Sequence, residues 1–253
     1  MQDLTTYPLG GMYPEFDAYP LWRKQAFKHA HSLGLNEACG LVVVVKGKET
    51  YWPCRNVSSD PEHTFTICPE DYAKADNAGE IVAVVHSHPF RSVAASNADM
   101  VAAERMDMPW HIINAQTGAW TTYTPCGYEA PLVGREWVWG VQDCWTLARD
   151  WYKEQGIELP DWERPLNPDD FAANPMFDSC WADAGFRELR DDEELQPGDG
   201  VLMAIQSNTG LNHCGVYIGD STILHHLRGR LSSRDLYAGG LVKHTGRRLR
   251  YDA

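Results

Sequence analysis

Two groups of residues in this chain have types and spacings suited to chemistry. The first lies in "HSHPFRSVAASNAD", residues 86–99. His86 and His88 stand two apart at the end of "IVAVVHSHP", which reads as a buried strand. Side chains on a strand alternate between faces, so these two imidazoles share one. Two neutral imidazoles on one face are half of a zinc site, and a carboxylate is a common third ligand. Asp99 is within reach, three residues after Ser96. Ser-x-x-Asp ahead of the helical pattern "NADMVAAERM" is also close to a capping box, with Ser96 as N-cap. Cap and ligand are compatible, because a cap fixes the turn that aims Asp99 at the histidines. Three protein ligands leave a fourth position open, the arrangement of a catalytic zinc site.

The second group is Cys144, His213 and His225. Asp143 in "GVQDCWTLARDWY" reads as an N-cap, which puts Cys144 in the first turn of a helix. Unpaired N–H groups and the helix dipole favour a thiolate there, and a nearby imidazole depresses the thiol pKa further. The alternative is a buried packing cysteine. "HCGVYIG" reads as a strand opening with His213, and "TILHHL" as the next strand, ending at His225 and His226. A helix-terminal cysteine facing a strand imidazole is the pairing used for acyl transfer, and a second imidazole can orient the base. Cys180 and Cys214 are the rival nucleophiles. Cys180 falls on an expected helix, and Cys214 should point away from His213.

These residues need elements to hold them. In the first half, "PLWRKQAFKHAHS" reads as a helix stopped by Gly34. The strands "CGLVVVV" and "TYWPC" follow, then a helix from Pro69 to Gly79. The His-bearing strand, the capped helix and two strands around a Gly turn complete an α/β unit built on a mixed sheet. In the second half one long helix precedes short strands, an α+β order expected to give an antiparallel sheet. Pro and Gly thicken in between. The expected division is 1–126, a linker at 127–134, and 135–253.

The spacing His-x-His, seven residues, Ser-x-x-Asp resembles the motif of the JAMM metallopeptidases. That family also has a glutamate just before a buried strand, and Glu37 in "NEACGLVVVV" matches it. The resemblance implies zinc on His86, His88 and Asp99, Glu37 as general base, and Ser96 as donor to the oxyanion, acting on a peptide or isopeptide amide. The second half resembles the NlpC-type cell-wall cysteine peptidases, with a papain-like core. Cys144, the turn Gly198–Asp199, His213 and His225 follow that family's order. The implied roles are Cys144 as nucleophile, His213 as base and His225 as its orienting partner, chosen over His226 by spacing. Trp145 and Thr146 stand where that family often has Ser-Gly. The two halves together resemble the tail tip assembly proteins of lambda-like phages. This implies phage tail tip proteins as partners, and peptidoglycan or a tail protein as substrate. It also implies a place at the virion tail tip, with action in the host periplasm on entry. Alternatives are a tail-protein processing protease, or an assembly module with one or both sites silent.

Composition narrows the classes. The chain has 253 residues, 43% of them hydrophobic, enough for two modest cores. A net charge of -13 argues against general nucleic-acid binding, which needs clustered Lys and Arg. No apolar run is long enough for membrane insertion, and "MQDLTTYPLGG" lacks the pattern of a signal peptide. Seven scattered cysteines fit synthesis in the reducing host cytoplasm better than a disulfide framework.

Overall fold

A computed structural model describes residues 16–173, 176–205 and 210–252. The N-terminal stretch read for a signal peptide lies outside the described residues. The chain divides into two compact units, Met1–Tyr128 and Glu129–Ala253.

The first unit is a five-stranded mixed sheet with helices on both faces. Helix α1 (Leu21–Leu33) starts after Pro20 and stops at Gly34, whose φ of 63° is costly for other residues. Strands β1 (Cys39–Val45) and β2 (Lys48–Cys54) form a hairpin through Lys46 and Gly47. Both turn residues have positive φ, so the two-residue loop follows the sheet's own twist. Then come α2 (Pro69–Ala78), β3 (Glu80–Ser87), α3 (Asn97–Met106), β4 (Trp110–Ile113) and β5 (Trp120–Tyr123). The order across the sheet is β2-β1-β3-β4-β5, with only β3 and β4 parallel. Val42, Ala83 and Val85 pack with Phe27 of α1, whereas Leu41, Val43 and Val84 pack with Ala75 of α2 and Ala103 of α3. Both faces of β1 and β3 are therefore covered, which is why they read as continuous apolar runs.

The second unit packs helix α4 (Cys144–Glu154) on an antiparallel sheet. Next are α5 (Met176–Asp183), β6 (Phe186–Glu188), β7 (Asp199–Met203), β8 (His213–Gly219), β9 (Thr222–His225) and β10 (Ser233–Leu236). A short α6 (Gly240–Lys243) leads to β11 (Thr245–Tyr251). The sheet order is β10-β9-β8-β7-β11-β6, antiparallel throughout. Alternation sends Leu202, Cys214 and Val216 against Ala148 and Tyr152 of α4, and Val201, Met203 and Ile223 to the other face.

On either side of the division the chain is hydrogen-bonded within its own unit. Cys126, Gly127 and Tyr128 donate their N–H groups to the Glu104 carboxylate. The buried Arg135 donates to the carbonyls of Ala130 and Pro131 and pairs with Asp150.

Candidate metal centre and candidate cysteine site

Parallel pairing with β4 positions the two histidines. His86 lies near the end of β3, opposite Ile112, and His88 is fixed just past the end by its N–H donating to Ile113 O at 2.8 Å. Their Nε2 atoms are 3.1 Å apart. Asp99 completes a triangle, with Oδ1 3.3 Å from His86 Nε2 and Oδ2 3.4 Å from His88 Nε2. Four-coordinate zinc with bonds of about 2.0–2.2 Å needs ligand-to-ligand edges of roughly 3.3 Å, and these spacings, one carboxylate oxygen toward each imidazole, are of that order. His88 Nδ1 donates to Ser92 O at 2.7 Å, which turns the Nε2 lone pair of the neutral ring into the triangle. Two imidazole nitrogens and a buried carboxylate at such distances are a donor set for a cation. His86, His88 and Asp99 are the one such His/Cys/Asp/Glu group found among the described residues.

The Ser-x-x-Asp turn caps α3 and brings Asp99 to the two histidines. Ser96 Oγ accepts from Asp99 N at 3.1 Å, and Asp99 Oδ2 accepts from Ser96 N at 2.7 Å. The Ser96 hydroxyl accepts in this cap, so its own proton is left to donate. Burial alone would raise the Asp99 pKa. The two imidazoles, His86 first, and the Ser96 side chain outweigh it and hold the carboxyl well below the usual range.

Glu37 is buried beside this group, 2% exposed. Its backbone is held by Pro61 O and by the Asn56 amide, and Ser87 Oγ takes the next N–H, that of Ala38. Burial raises the Glu37 carboxyl, partly offset by His86, His88 and Arg91. Arg91 donates to Glu37 Oε1 at 3.2 Å and also to His63 O. Phe65 stacks on His86, with ring centroids 4.7 Å apart. Ser87, Phe65 and Arg91 are not among the residues singled out from the sequence. Only Ser87 had a usable signal, as the middle residue of His-x-His.

In the second unit Asp143 caps α4 by a capping box. Its Oδ1 accepts from Thr146 N at 2.9 Å, and Asp143 N donates to Thr146 Oγ1 at 2.8 Å. The Thr146 that departs from the Ser-Gly pattern is thus part of the cap that sets Cys144 in the first turn. The Asp143 carboxylate also pairs with Arg164 at 2.8 Å, in an almost fully buried contact. Trp145 stacks on Trp162, centroids 4.7 Å apart, and with Trp139 and Phe171 they line a pocket reaching Cys144.

Cys144 meets Cys214 and His213. The Cys214 thiol and then the His213 imidazole pull its pKa down, against burial and the Asp143 charge. Burial, and next the contact with Cys144, push Cys214 up. Alternation does turn Cys214 away from His213, but the face it turns to is the one that α4 covers. His213 Nε2 is 3.1 Å from His225 Nδ1, and His225 Nε2 is 3.1 Å from Asp235 Oδ2. His226 points elsewhere, donating from Nε2 to Arg230 O at 3.2 Å. Cys180 lies on α5 and takes no part in this chain of contacts. Asp235 sits on a strand that local pattern did not reveal.

Two family models match the chain, one in each unit. Residues 22–125 match the prokaryotic homologs of the JAB domain, and residues 134–250 match the NlpC/P60 family. Fold and matches together define a two-domain protein, JAB-type first and NlpC/P60 second, both of peptidase-type families. Tail tip assembly protein K of Escherichia phage N15 is 38% identical over 230 residues, 88% of this chain and 91% of that protein. Tail tip assembly protein K of Escherichia phage lambda is 36% identical over 174 residues, 68% of this chain and 82% of that protein. The chain belongs to the family of tail tip assembly protein K. Solved structures of NlpC/P60-family proteins also match. One from Staphylococcus aureus has 19% identity and a TM-score of 0.34, covering 55% of this chain and 47% of its own. Another, from Bacillus cereus, has 16% identity and a TM-score of 0.32, covering 88% and 66%. Among the described residues no helix is long and apolar enough to cross a membrane.

Proposed function

We propose that this chain works in the phage tail tip and carries two peptidase sites, of which the cysteine site cuts peptide crosslinks of host peptidoglycan during infection. One arrangement carries the reading: Cys144 opens the capped helix α4 beside His213, whose Nε2 is already engaged by His225 at 3.1 Å. His213 takes the thiol proton as Cys144 Sγ attacks the amide carbonyl, then returns it to the leaving amine. Unpaired N–H groups in the first turn of α4 hold the oxyanion. The aromatic pocket beside Cys144 excludes water from the scissile bond.

In the first unit His86, His88 and Asp99 would hold zinc. Zinc supplies Lewis acidity and makes water a nucleophile near neutral pH. Glu37 accepts the proton of the attacking water and delivers it to the leaving amine, and burial makes its carboxyl a better base than an ordinary glutamate. Ser96 O–H donates to the developing oxyanion. The substrate is a peptide or isopeptide amide. The functional limits proposed are 1–126 and 135–253, joined by 127–134. The protein is made in the host cytoplasm and acts beside other tail tip proteins, at the wall in the periplasm.

The Arg91–Glu37 pair favours a second reading for the zinc half, a processing site for tail proteins held inactive until its substrate or partner displaces Arg91. The test is to incubate purified peptidoglycan and tail proteins with wild type, Cys144→Ala and His88→Ala, and to identify fragments by mass. Wall fragments that vanish with Cys144→Ala and persist with His88→Ala are expected. Wall cutting that survives Cys144→Ala would refute the first reading.

A further inference from the structure

The hydrogen bonds behind Cys144 do not stop at the second histidine. We propose that Asp235 is a positioning residue of the cysteine site, its carboxylate fixing the tautomers of His225 and His213 so that Nδ1 of His213 is left to accept the Cys144 proton. This rests on the cysteine-peptidase reading above and adds a fourth member to it.

The hydrogen bonds fix each proton from the carboxylate inward. Asp235 is held below the usual carboxylate range, with the His225 hydrogen bond the largest cause, so it is an acceptor only. The atom 3.1 Å from its Oδ2, His225 Nε2, must carry a proton. Burial, and next the His213 charge, lower His225, which therefore stays neutral and has a lone pair on Nδ1. His213 Nε2, 3.1 Å from that lone pair, must then be the donor. Nδ1 is the nitrogen left on His213, unprotonated in the neutral ring. When Cys144 gives up its proton, the S–H bond breaks and an N–H bond forms at His213 Nδ1. His213 becomes an imidazolium that keeps its Nε2 proton, and nothing passes on to Asp235.

The sheet supports this line. Ser233 of β10 is paired with His225, and Asp235 with Ile223, so Asp235 projects from the same face as the two histidines. Gly215 lies directly across from His225 on β8. The other charged group at the carboxylate is Arg230, 3.7 Å from Oδ2 and 60% exposed. Cys214, Asp143 and Arg164 surround the Cys144 end.

Asp235→Asn makes the test sharp. An amide can turn its NH2 toward His225, which reverses the chain and leaves a proton, not a lone pair, on His213 Nδ1. The experiment uses the full chain labelled with 15N-histidine, long-range 1H–15N spectra to read each ring, and mass-resolved iodoacetamide labelling of Cys144. Wild type is expected to show Nε2–H tautomers at both histidines. Asp235→Asn should label Cys144 at least about tenfold more slowly, the consequence of a wrong tautomer. Asp235→Glu should restore the tautomers and much of the rate. A wild-type His225 protonated on Nδ1 rather than Nε2 would overturn the proposal, even if no variant folds. So would Asp235→Ala, which can neither donate nor accept, with unchanged tautomers and rate. Wild-type Cys144 that resists iodoacetamide while the tautomers are as expected would sink the peptidase reading and leave the Asp235 assignment standing.

Discussion

At the scale of single residues, chemistry here depends on which proton is where. The Cys144 thiol is pulled down by Cys214 and His213. A depressed thiol keeps its thiolate above its own pKa and loses it only as pH falls through that value. The pH profile of Cys144 alkylation, measured by mass spectrometry, is therefore expected to lie below that of a free thiol near 8.5. A profile matching the free thiol would contradict the arrangement. In the other unit, ligand and base can be separated. Glu37→Gln is expected to retain zinc but lose zinc-dependent amide hydrolysis, whereas His88→Ala loses the metal itself, both read by metal analysis beside activity. His88 orients its ring through Ser92 O, so removing it also opens the triangle.

At the scale of elements, helix starts and close strand approach put these residues in register. Asp143 is both the cap of α4 and the partner of a nearly buried Arg164. Asp143→Ala removes the cap and one of the two carboxylates on Arg164, which keeps Asp161, and is expected to destabilise the second unit by about 2–4 kcal/mol. Urea unfolding followed by tryptophan fluorescence measures it, and a loss below about 1 kcal/mol would show that the pair contributes little beyond a surface ion pair. Gly215 is the second sensitive point. A Cβ there would stand 2.7 Å from Ile223 Cδ1 and 3.0 Å from His225 Cβ. Gly215→Ala should push His225 off His213 and slow Cys144 alkylation, with α4 still folded by circular dichroism. The elements around both sites were legible because their signals are local. Ser96 and Asp143 stand at helix starts, and the apolar runs of β1 and β3 end in turn residues. Strands β10 and β11 were not, since "SRDL" and "TGRRLRY" are polar edge or mixed sequences whose pairing comes from neighbours far along the chain.

At the scale of the whole molecule, one chain holds two compact units, each with its own candidate site. Zinc binding to the folded first unit should raise its thermal midpoint in calorimetry, because a ligand that binds only the native state stabilises it by mass action. His88→Ala should show no such rise, and its Cys144 should alkylate at the wild-type rate. A rise of equal size in His88→Ala would place the metal elsewhere. The residue types of both candidate sites, their order, and most of the helices and strands that carry them could be read along the chain, because caps and alternation act over a few residues. The closure of the two sites could not. Arg91 on Glu37, Phe65 on His86, Cys214 beside Cys144 and Asp235 behind His225 depend on strand register and on which sheet face a helix covers. Those follow from burial and pairing summed over a whole unit, so only the folded chain decides them.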